Sequence, residues 1–311
     1  MADQQPRIGL ALGSGSARGW SHIGVIRELQ DMGIEPEIVC GTSIGSLVGA
    51  ALVKGDLDRL ERWAQQLTKS SLIKFLDLSL LTGGGFIEGN KLFEFLSQHL
   101  GDIAIEELEK PFAAVACNLG TGQEVWFQKG SLFDAVRASS ALPGLFTPVQ
   151  YQDTWLVDGG LVNPVPISVC RALGAEKIIA VNLNGDIVGK HMPRKNNIPN
   201  LPSSIDHDKE TGMLQQWMKS LRDRANHMVN NHFDEHTEAP GLFDVMAGSI
   251  NIMQDRITRS RMAGDPPDVI ISPRLSHLGL MEFDRVDEAV EAGRKAVRAQ
   301  KSVIEELVKS L

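Results

Sequence analysis

The 311-residue chain is 42% hydrophobic and 23% charged, the balance of a soluble globular protein long enough for one extended domain or two small ones. Its net charge of −8, without a long basic block, excludes the electrostatic footprint of a nucleic-acid binder, and no run approaches the roughly 20 apolar residues that span a bilayer. Three cysteines, Cys40, Cys117 and Cys170, lie far apart in no metal-type spacing, and the first seven residues lack the pattern of a signal peptide, so buried thiols and a cytoplasmic location are expected.

In chain order, residues 1–6 form a tail and 7–12 a buried strand. Residues 20–32 carry apolar positions at Ile23, Val25, Ile26 and Leu29, the spacing of a helix. A second strand over 37–40 runs into helical pattern over 44–78, broken at Gly55-Asp56. A glycine loop at 82–85 and a helix over 90–100 follow. Residues 112–118 and 124–128 pair as strands across a Gly-Thr-Gly turn, then come a short helix over 132–139, a strand over 155–157, a helix over 166–173 and a strand over 177–182. Beyond Asp186 the chain turns polar and proline-containing, an exposed insertion or lid at about 185–240 that includes an amphipathic helix over 213–229. A helix over 242–262, a strand over 269–272 and one charged helix over 284–308 complete the set. Strands alternating with helices predict a sheet covered on both faces.

Two short motifs carry chemistry. Gly13-Ser14-Gly15-Ser16-Ala17-Arg18-Gly19 follows the first strand and opens a helix, so its backbone N–H groups bind negative charge. It fits a dinucleotide turn or an oxyanion hole. The dinucleotide reading leaves the second motif unexplained, and its ribose-binding acid, Glu37, falls at the wrong end of the second strand. That second motif, Gly41-Thr42-Ser43-Ile44-Gly45, lies between an apolar strand and a small-residue helix. It is a nucleophile elbow, whose strained corner presents the Ser43 hydroxyl and whose glycines let neighbouring backbone pass closely.

A serine needs a group to take its proton. Asp158 followed by His277 has the chain order of an α/β-hydrolase triad, but only two strands precede Ser43, and that topology fits poorly. His22 sits just beyond the glycine loop and His99 at a helix end. His191, His207, His227, His232 and His236 fall in the insertion and its helix, where solvated surface is their expected role, and the last three do not share one helix face as metal ligands would. Asp158 acting directly remains, carried by an apolar strand into a turn at Gly159 and Gly160. Apolar residues in 72–81, 86–95 and 213–221 are candidates for the walls or lid of an acyl pocket.

The ordered series of glycine loop with Arg18-Gly19, Gly-Thr-Ser-Ile-Gly and Asp-Gly-Gly resembles the patatin-like phospholipase family. Ala138-Ser139-Ser140-Ala141-Leu142-Pro143, with Phe146 and Pro148, and the block from Asp158 to Pro166 extend the likeness over residues 8–182. Within the family the chain is most similar to bacterial, neuropathy target esterase-like members. The resemblance implies a three-layer α/β/α fold in a single domain over 7–311. It also implies a Ser43–Asp158 dyad without a catalytic histidine, and an oxyanion hole framed by Gly13, Gly15, Ser16 and Arg18, to which elbow geometry adds the Ile44 N–H. Ser14 and Ser16 interrupt the family's glycine run. No metal or cofactor is implied. The expected function is hydrolysis of lipid or lysophospholipid esters through an acyl-Ser43 intermediate, with a lipid substrate, peripheral contact with the inner face of a membrane and no nucleic-acid partner. The sequence leaves the oligomeric state open. Two alternatives stand beside this reading: a regulatory or scaffold protein on the same fold, and a nucleotide-binding oxidoreductase.

Overall fold

The computed structural model describes residues 7–71, 101–186 and 242–309. The loop at 82–85, the helix over 90–100, the amphipathic stretch over 213–229 and nearly all of the insertion at about 185–240 lie outside the described residues. Among the described residues, eight strands form one sheet. They are β1 (Ile8–Leu12), β2 (Ile38–Thr42), β3 (Phe112–Asn118), β4 (Glu124–Phe127), β5 (Val149–Tyr151), β6 (Thr154–Asp158), β7 (Lys177–Val181) and β8 (Val269–Ile271). Their order is β5-β6-β3-β2-β1-β7-β8, with β4 paired to β3. The strands from β3 through β2, β1 and β7 to β8 pair in parallel, whereas β4 and β6 pair antiparallel to β3, and β5 to β6.

Side chains alternate across this sheet because successive Cβ atoms point to opposite faces. Leu10, Leu12, Val39, Phe112, Ala114, Ile179 and Val181 enter one buried cluster, while Ala11, Ile38, Cys40, Ala113, Val115, Ile178 and Ala180 enter a second. Helices α1 (Ser21–Asp31) and α2 (Ile44–Lys54) cover the first face. Helix α3 (Leu57–Gln65) follows, and α4 (Leu132–Ser139) also packs in that cluster. Helix α5 (Ile167–Ala172) covers the second face, and Met262 of α6 (Leu242–Gly264) packs against the same cluster. Each fully buried Val, Leu or Ile contributes roughly 1.5–3 kcal/mol relative to exposure, so strands apolar on both faces hold the centre. The result is the expected α/β/α layering.

Three local details differ from the sequence-based expectation. The glycine loop enters a 3-10 turn, Ser16–Trp20, before α1 begins. The final helical stretch is two helices, α7 (Val286–Ala299) and α8 (Lys301–Lys309), with Gln300 between them at φ −107° and ψ 9°. No proline or glycine marks that break, so the apolar periodicity read as one helix. The strand β5 was not anticipated, being three residues long. Among the described residues, no helix is long and apolar enough to cross a membrane.

The register of β3 brings distant residues together. Strand β2 pairs with β3 from Val39↔Phe112 to Thr42↔Val115, and β6 pairs with it from Ala116↔Asp158 to Asn118↔Leu156. Strand β4 pairs with β3 from Ala114 to Cys117 and so occupies one edge throughout this overlap. Strands β2 and β6 therefore share the other edge in tandem, meeting end to end between Val115 and Ala116. The residue after Thr42 is Ser43, and the residue opposite Ala116 is Asp158.

Candidate active site

Ser43 is the corner between β2 and α2, with φ 57° and ψ −128°. That region is strained for a side-chain-bearing residue, at a cost on the order of 1–3 kcal/mol, and it persists because the surroundings hold it. Ser43 N–H donates to Ser139 Oγ at 2.9 Å, whose hydroxyl donates onward to the Val115 carbonyl at 2.6 Å. On the helix side, the Ser43 carbonyl accepts from Ser46 Oγ at 2.6 Å. Close backbone approach explains the glycines. A Cβ at Gly45 would strike the Leu12 carbonyl, and one at Gly19 would strike the Ile44 side chain, separating the glycine loop from the elbow. Gly41 lies against the Gly45 backbone and Gly159 against the Val115 carbonyl.

The Ser43 hydroxyl donates to Asp158 Oδ2 at 2.5 Å. The other carboxylate oxygen, Oδ1, accepts from Gly160 N–H at 2.7 Å, and Asp158 N–H donates to the Ala141 carbonyl at 2.9 Å. The segment around Ser139 and Ala141 thus clamps both residues, through Ser139 to Ser43 and through Ala141 to Asp158. Asp158 is 1% exposed and Ser43 8%. Burial raises the Asp158 pKa to about 6, against the opposing effects of its bonds from Ser43 and Gly160. A carboxylate so placed accepts a proton near neutral pH and can return it.

The glycine loop is pinned at most of its amides. Gly13 N–H donates to the Val181 carbonyl at 3.1 Å, Ser14 N–H to Pro164 at 2.8 Å, Ala17 N–H to Leu280 at 3.1 Å and Arg18 N–H to Gly15 at 3.3 Å. Gly13 and Arg18 therefore frame the loop with amides already engaged, whereas those of Gly15, Ser16 and Ile44 donate to no group among the described residues. The Gly15 carbonyl accepts from Arg18 Nε at 3.2 Å as well as from its N–H. Because a trans peptide sets C=O and N–H on opposite sides, the Ser16 N–H is turned away from Arg18. Ser16 sits at φ 51°, where glycine is favoured, and its hydroxyl offsets part of that strain by donating to the Leu280 carbonyl at 2.7 Å.

Two buried side chains hold this loop. Arg18, 1% exposed, also donates from Nη2 to Asn251 Oδ1 at 2.9 Å, and burial lowers its pKa to about 10 despite the nearby Asp186 carboxylate. His22 is fully buried, with Nε2 2.7 Å from the Gly13 carbonyl. A carbonyl only accepts, so the proton is on Nε2. Burial lowers the His22 pKa to about 4, leaving the ring neutral at physiological pH. The sequence signal for this role is the position of His22 at the start of a helix just beyond a glycine loop. Ser139 entered only as part of a longer block, and α6 carried no expectation beyond a helix.

The histidine of the triad order lies elsewhere in the bonding pattern. His277 pairs with Glu288 at 2.8 Å and is nearly half exposed, while both Asp158 oxygens are engaged by Ser43 and Gly160. His191, His207, His227, His232 and His236 lie outside the described residues, as does His99. Among the described residues no group of His, Cys, Asp or Glu could hold a metal ion. Beside the loop, Ser16, Leu142, Pro143, Met246 and Ile250 border an apolar pocket.

A family model described as Patatin-like phospholipase matches residues 10–171, which include the glycine loop, the elbow and the Asp-Gly-Gly turn. An uncharacterized NTE family protein of Mycobacterium tuberculosis is 33% identical over 326 residues, covering 93% of this chain and 89% of that protein. Lysophospholipase NTE1 of Pyricularia oryzae is 28% identical over 93% of this chain, which spans 18% of that longer protein. Among solved structures, VipD from Legionella pneumophila superposes with a TM-score of 0.43 at 12% identity, covering 99% of this chain and 67% of that one.

Proposed function

We propose that this chain, which belongs to the patatin-like phospholipase family, is a serine acyl hydrolase that cleaves carboxylic esters of lipids or lysophospholipids. One observation carries the reading: the Ser43 hydroxyl, on a strained strand-to-helix corner, donates at 2.5 Å to a buried carboxylate whose pKa lies near 6. The fungal relative's name, lysophospholipase, supports a lysolipid substrate.

In this mechanism Ser43 Oγ attacks the ester carbonyl carbon as its proton passes to Asp158 Oδ2. The carbonyl electrons move to oxygen, and the tetrahedral oxyanion meets the Ile44 N–H, at the positive end of α2, and the N–H groups of Gly15 and Ser16. The C–O bond to the alcohol then breaks, and the departing oxygen takes the proton from Asp158. Water attacks the acyl-Ser43 ester, gives a proton to Asp158, and expels Ser43 Oγ, which recovers that proton as the carboxylic acid leaves. Contact with a membrane face is peripheral, and the site of action is cytoplasmic.

The test is hydrolysis of a panel of phospholipids, lysophospholipids and simple esters by wild type beside Ser43→Ala and Asp158→Asn. The reading requires both variants to lose turnover by on the order of 10²–10⁴-fold. Undiminished hydrolysis in either variant would refute it.

A further inference from the structure

Helix α6 touches the site at two places. Near its start, Met246 and Ile250 line the apolar pocket that Ser16 borders. One turn beyond Ile250, Gln254 is 4% exposed and lies against Gly160. A Cβ added to Gly160 would meet Gln254 Nε2, then Asp158 Oδ1 at 2.9 Å and Ser14 Oγ at 3.1 Å, so these three polar groups converge on one point of the Asp-Gly-Gly turn. The Gln254 Oε1 accepts from Asn184 Nδ2 at 2.9 Å, which fixes the amide and leaves Nε2 on the Asp158 side. That Nε2 donates to no group among the described residues. Ser14, 2% exposed, has a buried hydroxyl without a partner among them. The Ser14 hydroxyl, withdrawn from water and left without a partner, is costly to bury, and a ligand hydroxyl would supply that partner.

Residues 246, 250 and 254 recur every four positions and so form one stripe along α6. Asn251, beside the stripe, accepts from Arg18 and sets the helix against the glycine loop. The stripe runs from apolar to polar along the helix axis. An ester has a matching two-part polarity: an apolar acyl chain and, where the alcohol is a polyol, a polar leaving group that takes its proton from Asp158.

Resting on the hydrolase reading, we propose that α6 sets substrate orientation and choice, with Met246 and Ile250 contacting the acyl chain while Gln254 and Ser14 hydrogen-bond an alcohol that carries free hydroxyl groups, as a glyceryl ester does. Gln254 and Ser14 are specificity residues in this scheme, and the base remains Asp158.

The test crosses two variants with two substrate series. Acyl length is varied in p-nitrophenyl esters, and the alcohol is varied between ethyl and glyceryl esters of one acid. Ile250→Trp is expected to lower kcat/KM for long acyl chains relative to acetyl by about tenfold or more while leaving the glyceryl-to-ethyl ratio unchanged. Gln254→Leu is expected to do the reverse, lowering the glyceryl-to-ethyl ratio by about tenfold without moving the acyl-length optimum. Gln254→Met, closer in shape, should reproduce that shift, and stoichiometric labelling of Ser43 by a fluorophosphonate shows that each variant has a built site. Parallel changes in both series, or folded variants with both profiles intact, would overturn the role of α6 while leaving the dyad standing. A wild type that hydrolyses no ester and takes no label at Ser43 would overturn the hydrolase reading and this proposal together.

Discussion

At Asp158 the fold accepts a cost that the proposed chemistry uses. The folded pKa of about 6 lies above the ordinary aspartate value of 3.8, so the stability associated with the protonated carboxyl is complete below the unfolded value and declines as pH rises through about 6. Ionised Asp158 therefore costs on the order of 3 kcal/mol at pH 8. Asp158→Asn removes that cost. It should melt above wild type at pH 8 and converge with it near pH 4, as thermal unfolding at the two pH values would show, while losing hydrolysis. The same pKa predicts that kcat/KM rises with pH through about 6, as the base form is populated, and a flat profile between pH 5 and 8 would contradict the assignment. His22 acts at one remove, as a positioning residue through the Gly13 carbonyl. His22→Leu is expected to lower kcat by on the order of tenfold to a hundredfold with little change in KM, and His22→Gln, which restores a donor, to recover part of it. Equal losses in kcat for both variants would argue for packing alone.

Among elements, the short α4 and the segment after it have an effect out of proportion to their size. Ser139, at the end of α4, links Ser43 N–H to the Val115 carbonyl, and Ala141 receives the Asp158 N–H. Ser139→Ala leaves a buried donor and acceptor unpaired, so denaturant unfolding should show a loss of about 1–3 kcal/mol, with a fall in kcat as the elbow relaxes. An unchanged midpoint would exclude the link. The elbow itself was legible in the sequence because its causes are local: an apolar run over 38–40, a serine between two glycines, and a helix of small residues. The loop at 13–19 was legible as an anion binder for the same reason, but not which amides are open, since Gly13 and Ser14 are engaged by Val181 and Pro164, residues far away in sequence. Asp158 emerged by elimination. The tandem sharing of one β3 edge by β2 and β6, which places it beside Ser43, depends on registers that no local pattern encodes. Gln254 and Asn251 were hidden likewise, because a polar residue in a helix looks solvated until its partner is known.

For the molecule as a whole, a charge of −8 gives no general attraction to anionic lipid. Hydrolysis of a lysolipid presented in vesicles should therefore be no faster on anionic than on zwitterionic vesicles at low ionic strength, and any difference should shrink as salt is raised. Strong, salt-sensitive activation by anionic vesicles would instead point to a local basic surface. The two apolar clusters on either face of the sheet and the clamps on the elbow form one support, in which the strained serine and the buried carboxylate are held from several elements at once.

The claim that Ser43 and Asp158 together carry the reaction is tested most directly by rapid-quench mass spectrometry during turnover of an ester substrate. Wild type should accumulate a mass increase of one acyl group, mapped to the peptide containing Ser43. That adduct should be absent in Ser43→Ala and form far more slowly in Asp158→Asn. An acyl adduct on another residue, or its formation at the wild-type rate in Asp158→Asn, would contradict the account.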